Sequence, residues 1–327
     1  MGRVIFSIFA GRKRFMNVLM SYVHVLVKDA VVDEVHVWDY CRVTADREYV
    51  HTLKGRPGVR VISPPASDLT ARFPHKWKGY YAYYASSLSD DDLLIKCDDD
   101  VVFISNLHKL LGFARSDGGA HLLYVPSIVN NDVSASFQAA DGVITAPEFT
   151  VELRASRPEG PYSRSPISDW YNCSKCADFI HSTFLAQPSA FFTGCVHTWT
   201  VPARVPINFL VMNGRRAREH FAAYTTEAFV DEAYLTAVLT ERTRLPSALV
   251  SDTVVVHFAF AFQHVQAPRE ILDRYRRLSR DTKLLSQFGA DFGARPLNQT
   301  CRATAPPAQQ QGLRALPRPG RKHKGTT

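Results

Sequence analysis

Short apolar runs alternate along this chain with longer amphipathic stretches. Residues 3–9 read as a first strand, with Ile, Phe and Val on both faces as a buried parallel strand requires. Gly11 ends it, and Arg12, Lys13 and Arg14 open an amphipathic helix predicted to reach about residue 27. A second strand is predicted over 35–38, stopping at Asp39, then a helix over 46–53, a turn over 55–58 and a third strand over 59–62, halted by Pro64-Pro65. From Lys76 to near Ser89 the pattern is helical again, with Lys76 and Lys78 in the first turn and tyrosines expected to pack on the sheet. Strand followed by helix, repeated, predicts an α/β fold with a Rossmann-type, mostly parallel sheet flanked by helices.

Next comes the sharpest pattern in the chain, Leu93-Leu94-Ile95-Lys96-Cys97-Asp98-Asp99-Asp100-Val101-Val102-Phe103-Ile104. An apolar run feeds three consecutive carboxylates and a second apolar run leaves them. Adjacent acids at a strand end repel one another, and burying an unpaired charge is costly. A divalent cation is the usual remedy, because hard Mg²⁺ and Mn²⁺ favour carboxylate oxygens and bridge them to phosphates. The plainer alternative is an acidic turn facing water. Arg12 and Arg14 stand at a strand-to-helix junction, where α/β sheets place their ligand crevice. They suit a diphosphate, or equally a solvated basic turn. The acids Asp90-Asp91-Asp92 precede the strand, so a solvated turn at the opposite edge is expected for them.

Beyond the triplet a short helix is predicted over 107–113 and a strand over 121–129, ending in Asn130-Asn131-Asp132. Such asparagines commonly make turns, and here they also suit contact with an acceptor. Periodicity weakens over 139–186, with an irregular excursion around 158–170 of the kind that lids a binding site. A strand at 209–211 and a helix at 215–223 follow, then a helix within 228–239 that carries Asp231 and Glu232 at its start, where carboxylates favour the dipole. The last strand is predicted over 253–258 with His257 inside it, and a basic amphipathic helix over 269–285.

Strand, Asp-x-Asp, strand, with a basic and aromatic helix just before, resembles the nucleotide-sugar-dependent glycosyltransferases of the GT-A fold. The resemblance spans most of 3–264, and the triplet is its one sharp motif. It implies a transferase moving a sugar from a nucleotide-diphosphate donor to a hydroxyl of a glycan or glycoconjugate, with Mn²⁺ or Mg²⁺ held by Asp98, Asp100 and His257. It further implies donor contacts from Asp39, Asp98, Asp99, Arg12, Arg14 and one of Lys76 and Lys78. The acceptor would meet Asn130 and Asn131, and Asp231 or Glu232 would bind it or take its proton. This chain has Asp-Glu where many relatives have Glu-Asp, so both acids stay open as the base, as do inversion and retention. Residues 1–129 would form the nucleotide-sugar half, 130–288 an irregular acceptor-side lobe with the C-terminal strand and helix, and 302–327 a disordered basic tail.

Composition narrows the classes. At 327 residues, 46% hydrophobic and 21% charged, the chain suits a globular protein with a full core. The formal charge of +8 falls to +2 once the six basic residues from Arg302 onward are set aside. The body is therefore nearly neutral, which argues against a specific nucleic-acid partner and leaves peripheral membrane contact to the tail. No run reaches the uninterrupted apolar length of a membrane helix, and the basic cluster follows the first apolar run rather than preceding it, so a cytoplasmic protein is expected. Of six cysteines only Cys173 and Cys176 have metal-like spacing; lacking a second pair they read as thiols, and disulfides are not expected in that compartment. Sequons at Asn172 and Asn298 would matter only after secretion.

Two other functions fit parts of the pattern. Asp98-Asp99-Asp100-Val101-Val102 also resembles the motif of haloacid-dehalogenase-like Mg²⁺-dependent phosphatases, in which Asp98 would be the nucleophile. That motif belongs on a first strand, and the later Gly-Asp-x-x-x-Asp loop is missing here. A sugar- or nucleotide-binding protein without catalysis is the third possibility.

Overall fold

The computed structural model describes residues 2–72, 75–144, 170, 173–200, 202, 204–260, 263 and 269–281. Among them nine strands form one sheet: β1 (Val4–Ala10), β2 (Glu34–Asp39), β3 (Val59–Ile62), β4 (Leu93–Asp98), β5 (Val101–Ser105), β6 (Tyr124–Val129), β7 (Val196–Trp199), β8 (Phe209–Asn213) and β9 (Ser247–His257). The order across it is β3-β2-β1-β4-β8-β6-β9-β5, with β7 also on β9. β1 to β4 are mutually parallel. β8 reverses between β4 and β6, β9 runs parallel to β6, and β5 and β7 lie antiparallel on β9. So β1, β2, β3, β4, β6 and β9 point one way and the rest the other. The α/β architecture is the one expected.

Parallel neighbours need a crossover, and the helices supply it. α1 (Lys13–Lys28) and α2 (Thr44–His51) separate the first three strands; α3 (Ala66–Thr70) and α4 (Lys78–Ser87) lead into β4. α1 buries Phe15, Met16, Leu19 and Val23, a helical stripe against the sheet. α4 buries Tyr80, Tyr81 and Tyr84 completely, so its aromatics are core. α5 (Leu107–Ser116) buries Leu107, Leu110, Leu111 and Ala114, the spacing of one helix face. α8 (Gly214–Tyr224) packs on α4. α9 (Asp231–Ala233) passes through a π-helical turn at Tyr234–Val238 into α10 (Leu239–Thr243).

Four of the labelled elements were not legible beforehand: α3, α6 (Asp132–Ala140), α7 (Ser174–Ala186) and β7. α6 is rich in Ala and Ser, which blurs its period, and it starts because Asn131 accepts a hydrogen bond from the Ser134 N–H at 3.1 Å. α7 is tied down by His181, whose Nε2 donates to the Phe258 carbonyl at 2.8 Å while Nδ1 meets the hydroxyl of Tyr275 at 3.0 Å. Tyr275 belongs to α11 (Arg269–Leu278), so α7 and α11 are joined below the end of β9. β9 itself begins well before the predicted 253–258. The polar residues Ser251, Asp252 and Thr253 broke the apolar pattern, and the fold satisfies all three, with Lys109 3.2 Å from Asp252 and Thr253 bonded to the Asn106 carbonyl at 2.9 Å.

Two expectations need correction. Cys173 and Cys176 form a disulfide, their Cα atoms brought to 5.2 Å by the start of α7, and Cys195 is disulfide-bonded as well. The case for free thiols, and with it the cysteines' support for a cytoplasmic setting, falls away, since such bonds persist in oxidising compartments. No described helix is long and apolar enough to cross a membrane. The excursion at 158–169, His264, Cys301, both sequons and the 302–327 tail lie outside the described residues.

The second correction concerns Asp92. Asp90 and Asp91 are exposed at the edge opposite the strand ends, but Asp92 is buried. Its carboxylate accepts from the Arg3 N–H at 2.8 Å, the Arg3 guanidinium at 2.7 Å and the Ser89 N–H at 2.9 Å, fastening the start of β1 to the turn before β4. Burial opposes its charge, yet the Arg3 and backbone hydrogen bonds hold the carboxyl below the usual carboxylate range. A depressed carboxyl contributes stability above the unfolded value and loses it as pH falls through the folded one. Asp92→Ala should cost about 2–4 kcal/mol in urea unfolding at pH 7. The gap from wild type should shrink below about pH 4.

Candidate functional site

Strands that share a direction end at one edge of the sheet, and α/β crevices open there. At that edge lie Gly11 and Arg12 after β1, Asp39 closing β2, Asp98 closing β4, Asn130 after β6 and His257 closing β9. Register sets them side by side: Phe9 opposite Asp98, Ala10 opposite Asp39, and Val101 opposite His257. β8 runs the other way, so Asn208 precedes it beside Asp98, whose N–H donates to the Asn208 carbonyl at 2.8 Å. Residues scattered through more than two hundred positions thus meet at the ends of six strands.

Asp99 and Asp100 turn inward and are buried. Asp99 accepts from the Gly11 N–H at 2.8 Å and from Arg12 Nε at 3.0 Å. Arg12 Nη2 bonds that same Asp99 oxygen, Oδ1, and reaches Asp100 Oδ2 at 3.0 Å. One arginine therefore sits among the acids as their shared counter-charge. Burial pushes the Asp99 carboxyl up even against Arg12, with Asp100 and Asp98 adding to the push. His257 stands on the far side of Asp100, Nε2 3.3 Å from Oδ2, while its Nδ1 donates to the Asn130 carbonyl at 3.3 Å. Burial disfavours the imidazolium, but acceptors at both nitrogens, Asp100 foremost, raise His257 above the usual histidine value.

Asp98 is different: its side chain remains 29% exposed. Lys96 donates to Oδ1 at 2.9 Å and Asn208 Nδ2 to Oδ2 at 3.2 Å. Asn131 Nδ2 in turn donates to Asn208 Oδ1 at 3.3 Å, so the asparagine before α6 braces Asp98 through one intermediary. Lys96 also shares a charge interaction with Asp231. Both acids of α9 thus lie within electrostatic reach of the buried ammonium that holds Asp98. Within that pair Asp231 accepts from the Tyr81 hydroxyl at 2.9 Å and from the Glu232 N–H at 2.9 Å, and Glu232 is ion-paired with Arg204. Burial lifts the Glu232 carboxyl above its usual range, opposed by Arg204 and Lys96 and aided by Asp231.

Other candidates have settled partners. Asp39 receives the Cys41 N–H at 3.2 Å and lies 3.4 Å from both Arg47 and His51. Lys78 Nζ donates to the carbonyls of Tyr224 at 2.5 Å and Glu227 at 2.9 Å, capping the end of α8, and burial draws its ammonium down to about 8 against Asp231 and Glu227. Lys76 lies over the Trp77 ring at 4.9 Å. The Asn130 amide is spent on Phe258, Gln263 and Trp170. Arg14 lines a cleft of 460 Å³ with Arg12, Lys13, Asn17, Asp46 and Arg276. Asp141, Cys195 and His197 are the described trio whose ligand atoms all fall within 4.8 Å of one another, but the Cys195 sulfur is committed to a disulfide.

Lys96, Asn208, Arg204 and Tyr81 were missed. A lysine inside the apolar run before Asp98 was a readable signal, since strand interiors exclude unpaired charge. Asn208, Arg204 and Tyr81 carried none, because only the sheet order brings them here. The phosphatase alternative gains no support: the Asp98 carboxylate is already bound by two donors rather than presented as a bare nucleophile.

No family model and no curated protein matches the chain. Among solved structures it is similar to the galactosyltransferase LgtC in complex with donor and acceptor sugar analogs, with a TM-score of 0.43 and 13% identity over 84% of this chain and 94% of that one. An active-site mutant of LgtC gives a TM-score of 0.42 and 14% identity over the same shares, 84% and 94%. At that likeness the chemistry rests on the residues themselves.

Removing Arg12 tests the charge balance. Arg12→Ala leaves Asp99 and Asp100 buried without their guanidinium and should cost about 2–4 kcal/mol in urea unfolding at pH 7, less than a fully enclosed pair. Because burial already favours protonated Asp99, the deficit should narrow as the titration is repeated toward pH 5.

Proposed function

We propose that the protein is a metal-dependent glycosyltransferase that uses a nucleotide-diphosphate sugar and a hydroxyl acceptor. The observation that carries this reading is that Asp98, Asp100 and His257 stand at one sheet edge, with the Asp231–Glu232 pair within electrostatic reach of Lys96. Carboxylates and an imidazole are ligand types that suit a divalent cation; Asp100 and His257 meet at 3.3 Å with Arg12 on Asp100, and Asp98 stands beside them on Lys96 and Asn208. His257 also has the bracing of a metal-binding histidine, Nδ1 donating to a backbone carbonyl while Nε2 faces the acids. Asp98, Asp100 and His257 would hold Mn²⁺ or Mg²⁺, and the ion would supply Lewis-acid stabilisation of the leaving diphosphate.

The chain's own groups divide the remaining work. Arg12 and Arg14, at the first turn of α1, favour the phosphates by charge and by the orphan N–H groups there. Asp39, at the end of the neighbouring strand, would meet the nucleoside. Of the acidic pair, Glu232 is the better base. Asp231 is fixed by Tyr81 and by the N–H of its own helix, whereas Glu232 is 18% exposed, oriented by Arg204, and lifted toward the pH at which a base works best. It would take the acceptor hydroxyl proton if the anomeric centre inverts. With retention the pair would orient the acceptor instead.

A screen of nucleotide sugars for thermal shifts that require Mn²⁺ identifies the donor, since a ligand of the native state raises the melting temperature. With that donor, Asp98→Asn should lower transfer by about 10³-fold or more while the protein still unfolds cooperatively; wild-type turnover in that variant sinks the metal assignment. In an inverting enzyme the rate should rise with pH along an acid limb set by Glu232, and Glu232→Gln should abolish both limb and most activity. A limb that survives in Glu232→Gln assigns the base elsewhere.

A further inference from the structure

We propose that the cleft beside the start of α1 binds a phosphate group, and that Arg276, carried there by α11, is one of its ligands. On the transferase reading above, on which this rests, the phosphates are those of the donor. The cleft itself needs no metal ion to hold them.

Six described side chains line its 460 Å³: Arg12, Lys13, Arg14 and Asn17 around the start of α1, Asp46 from α2 and Arg276 from α11. Four are cations and one is an acid. Arg276 stands near the far end of the described chain, and only the docking of α11 brings it here. That docking is firm, because Ile271, Leu272 and Tyr275 are buried and the Tyr275 hydroxyl meets His181 at 3.0 Å. Arg12 and Arg14 are gathered by one ring, their guanidinium carbons 5.2 and 4.5 Å from the centre of Phe15. Phe15 is buried and packs on Phe258 at 5.1 Å, so the platform beneath the two arginines is fixed.

Like charges brought together this way repel one another. Burial holds the Arg14 guanidinium below the usual arginine range, and Arg12 and Arg276 push it the same way. The acids nearby answer the crowding only in part. Asp46 Oδ1 accepts the Lys13 N–H at 2.9 Å, and Arg12 is turned onto Asp99 and Asp100. Arg276 pairs with Asp273 at 2.7 Å, but the two side chains are 37% and 49% exposed, and such a pair is easily exchanged. An arriving anion would relieve the repulsion. Phosphate suits the cleft best: its oxygens face several directions at once, and guanidinium forks bind them in pairs. A volume of 460 Å³ also lies within the range of about 300–1,000 Å³ common for small-molecule sites, enough for more than one phosphate.

The test is calorimetric titration of pyrophosphate into the full-length protein in metal-free, low-salt buffer. Wild type is compared with Arg14→Ala, Arg276→Ala and Arg218→Ala. Arg218 is an exposed arginine paired with Asp90 at the opposite edge, and it controls for the loss of one positive charge. Neither Arg14 nor Arg276 is buried, and urea unfolding confirms that each variant is native. Arg14→Ala and Arg276→Ala should each weaken binding by about tenfold or more, the effect of losing a charge-assisted hydrogen bond. Arg218→Ala should change it by less than about twofold. No binding by wild type, or equal affinity in all four proteins, overturns the proposal. An equal loss in Arg218→Ala overturns it too, because the anion would then answer net charge alone. The transferase reading fails separately: pyrophosphate bound through Arg276, with no nucleotide sugar bound, keeps the site and sinks that reading. Nucleotide sugar bound by Arg276→Ala at wild-type affinity sinks the site and leaves the reading standing.

Discussion

Like charges forced together at the ends of parallel strands are the constraint from which the rest of this structure follows. Asp98, Asp99 and Asp100 are adjacent in the chain, and the turn between β4 and β5 keeps them adjacent in space. Two of them are buried, where mutual repulsion is least screened. The fold answers from three separate elements: Arg12 from the start of α1 and Lys96 from within β4 bring positive charge, and the imidazole of His257 comes from the end of β9. Removing Arg12 would take the cation from Asp99, and removing Lys96 would take it from Asp98. The sheet order, which brings β1, β4 and β9 ends to one edge, is therefore tied to the charge balance there.

The same edge is stiffened by groups that carry no charge. Asn130 adopts a left-handed backbone at φ 62°, a conformation asparagine tolerates better than most residues. That turn exposes its carbonyl to His257 and its amide to Phe258 and Gln263. Asn131 caps α6 with one amide atom and steadies Asn208 with the other. Trp77 is left-handed too, at φ 67°, which is costly for a bulky side chain. Its ring meets Phe9 and Tyr40 edge-on at 5.7 and 4.6 Å, contacts that help hold the strained turn before α4. Phe9 then carries Lys96 on its other contacts, so aromatic packing and charge placement are coupled.

How much of this was readable in the chain depends on the range of the interaction involved. β3 fell where Val59 to Ile62 predicted it, and the helix faces of α1 and α5 followed from local spacing. The triplet declared itself because three acids between apolar runs violate local expectation. β9 was read short because its middle is polar, and those residues are satisfied only by partners such as Lys109 and Cys195 far away in sequence. Lys78 looked like a phosphate ligand from its place in a first turn, yet the end of α8 claims it. Asn208 and Arg204 were silent for the same reason: their meaning arises only when β8 is inserted, reversed, between β4 and β6.

Under the transferase reading, the charge balance also dictates how ligands must arrive. The crevice already sets the acids Asp98 to Asp100, Asp231 and Glu232 against Arg12, Lys96, Arg204 and His257. A diphosphate brought to that edge alone would face carboxylates whose counter-ions are committed to them. A divalent cation alone would meet Arg12 as competing positive charge. Together the two offset one another's cost, so each should raise the affinity of the other by the same factor, as linkage requires. Coupling of that kind needs no moving domain, only acids and bases held too firmly to rearrange, and the braces on Asp98 from Lys96 and Asn208 supply that rigidity where the two ligands would meet.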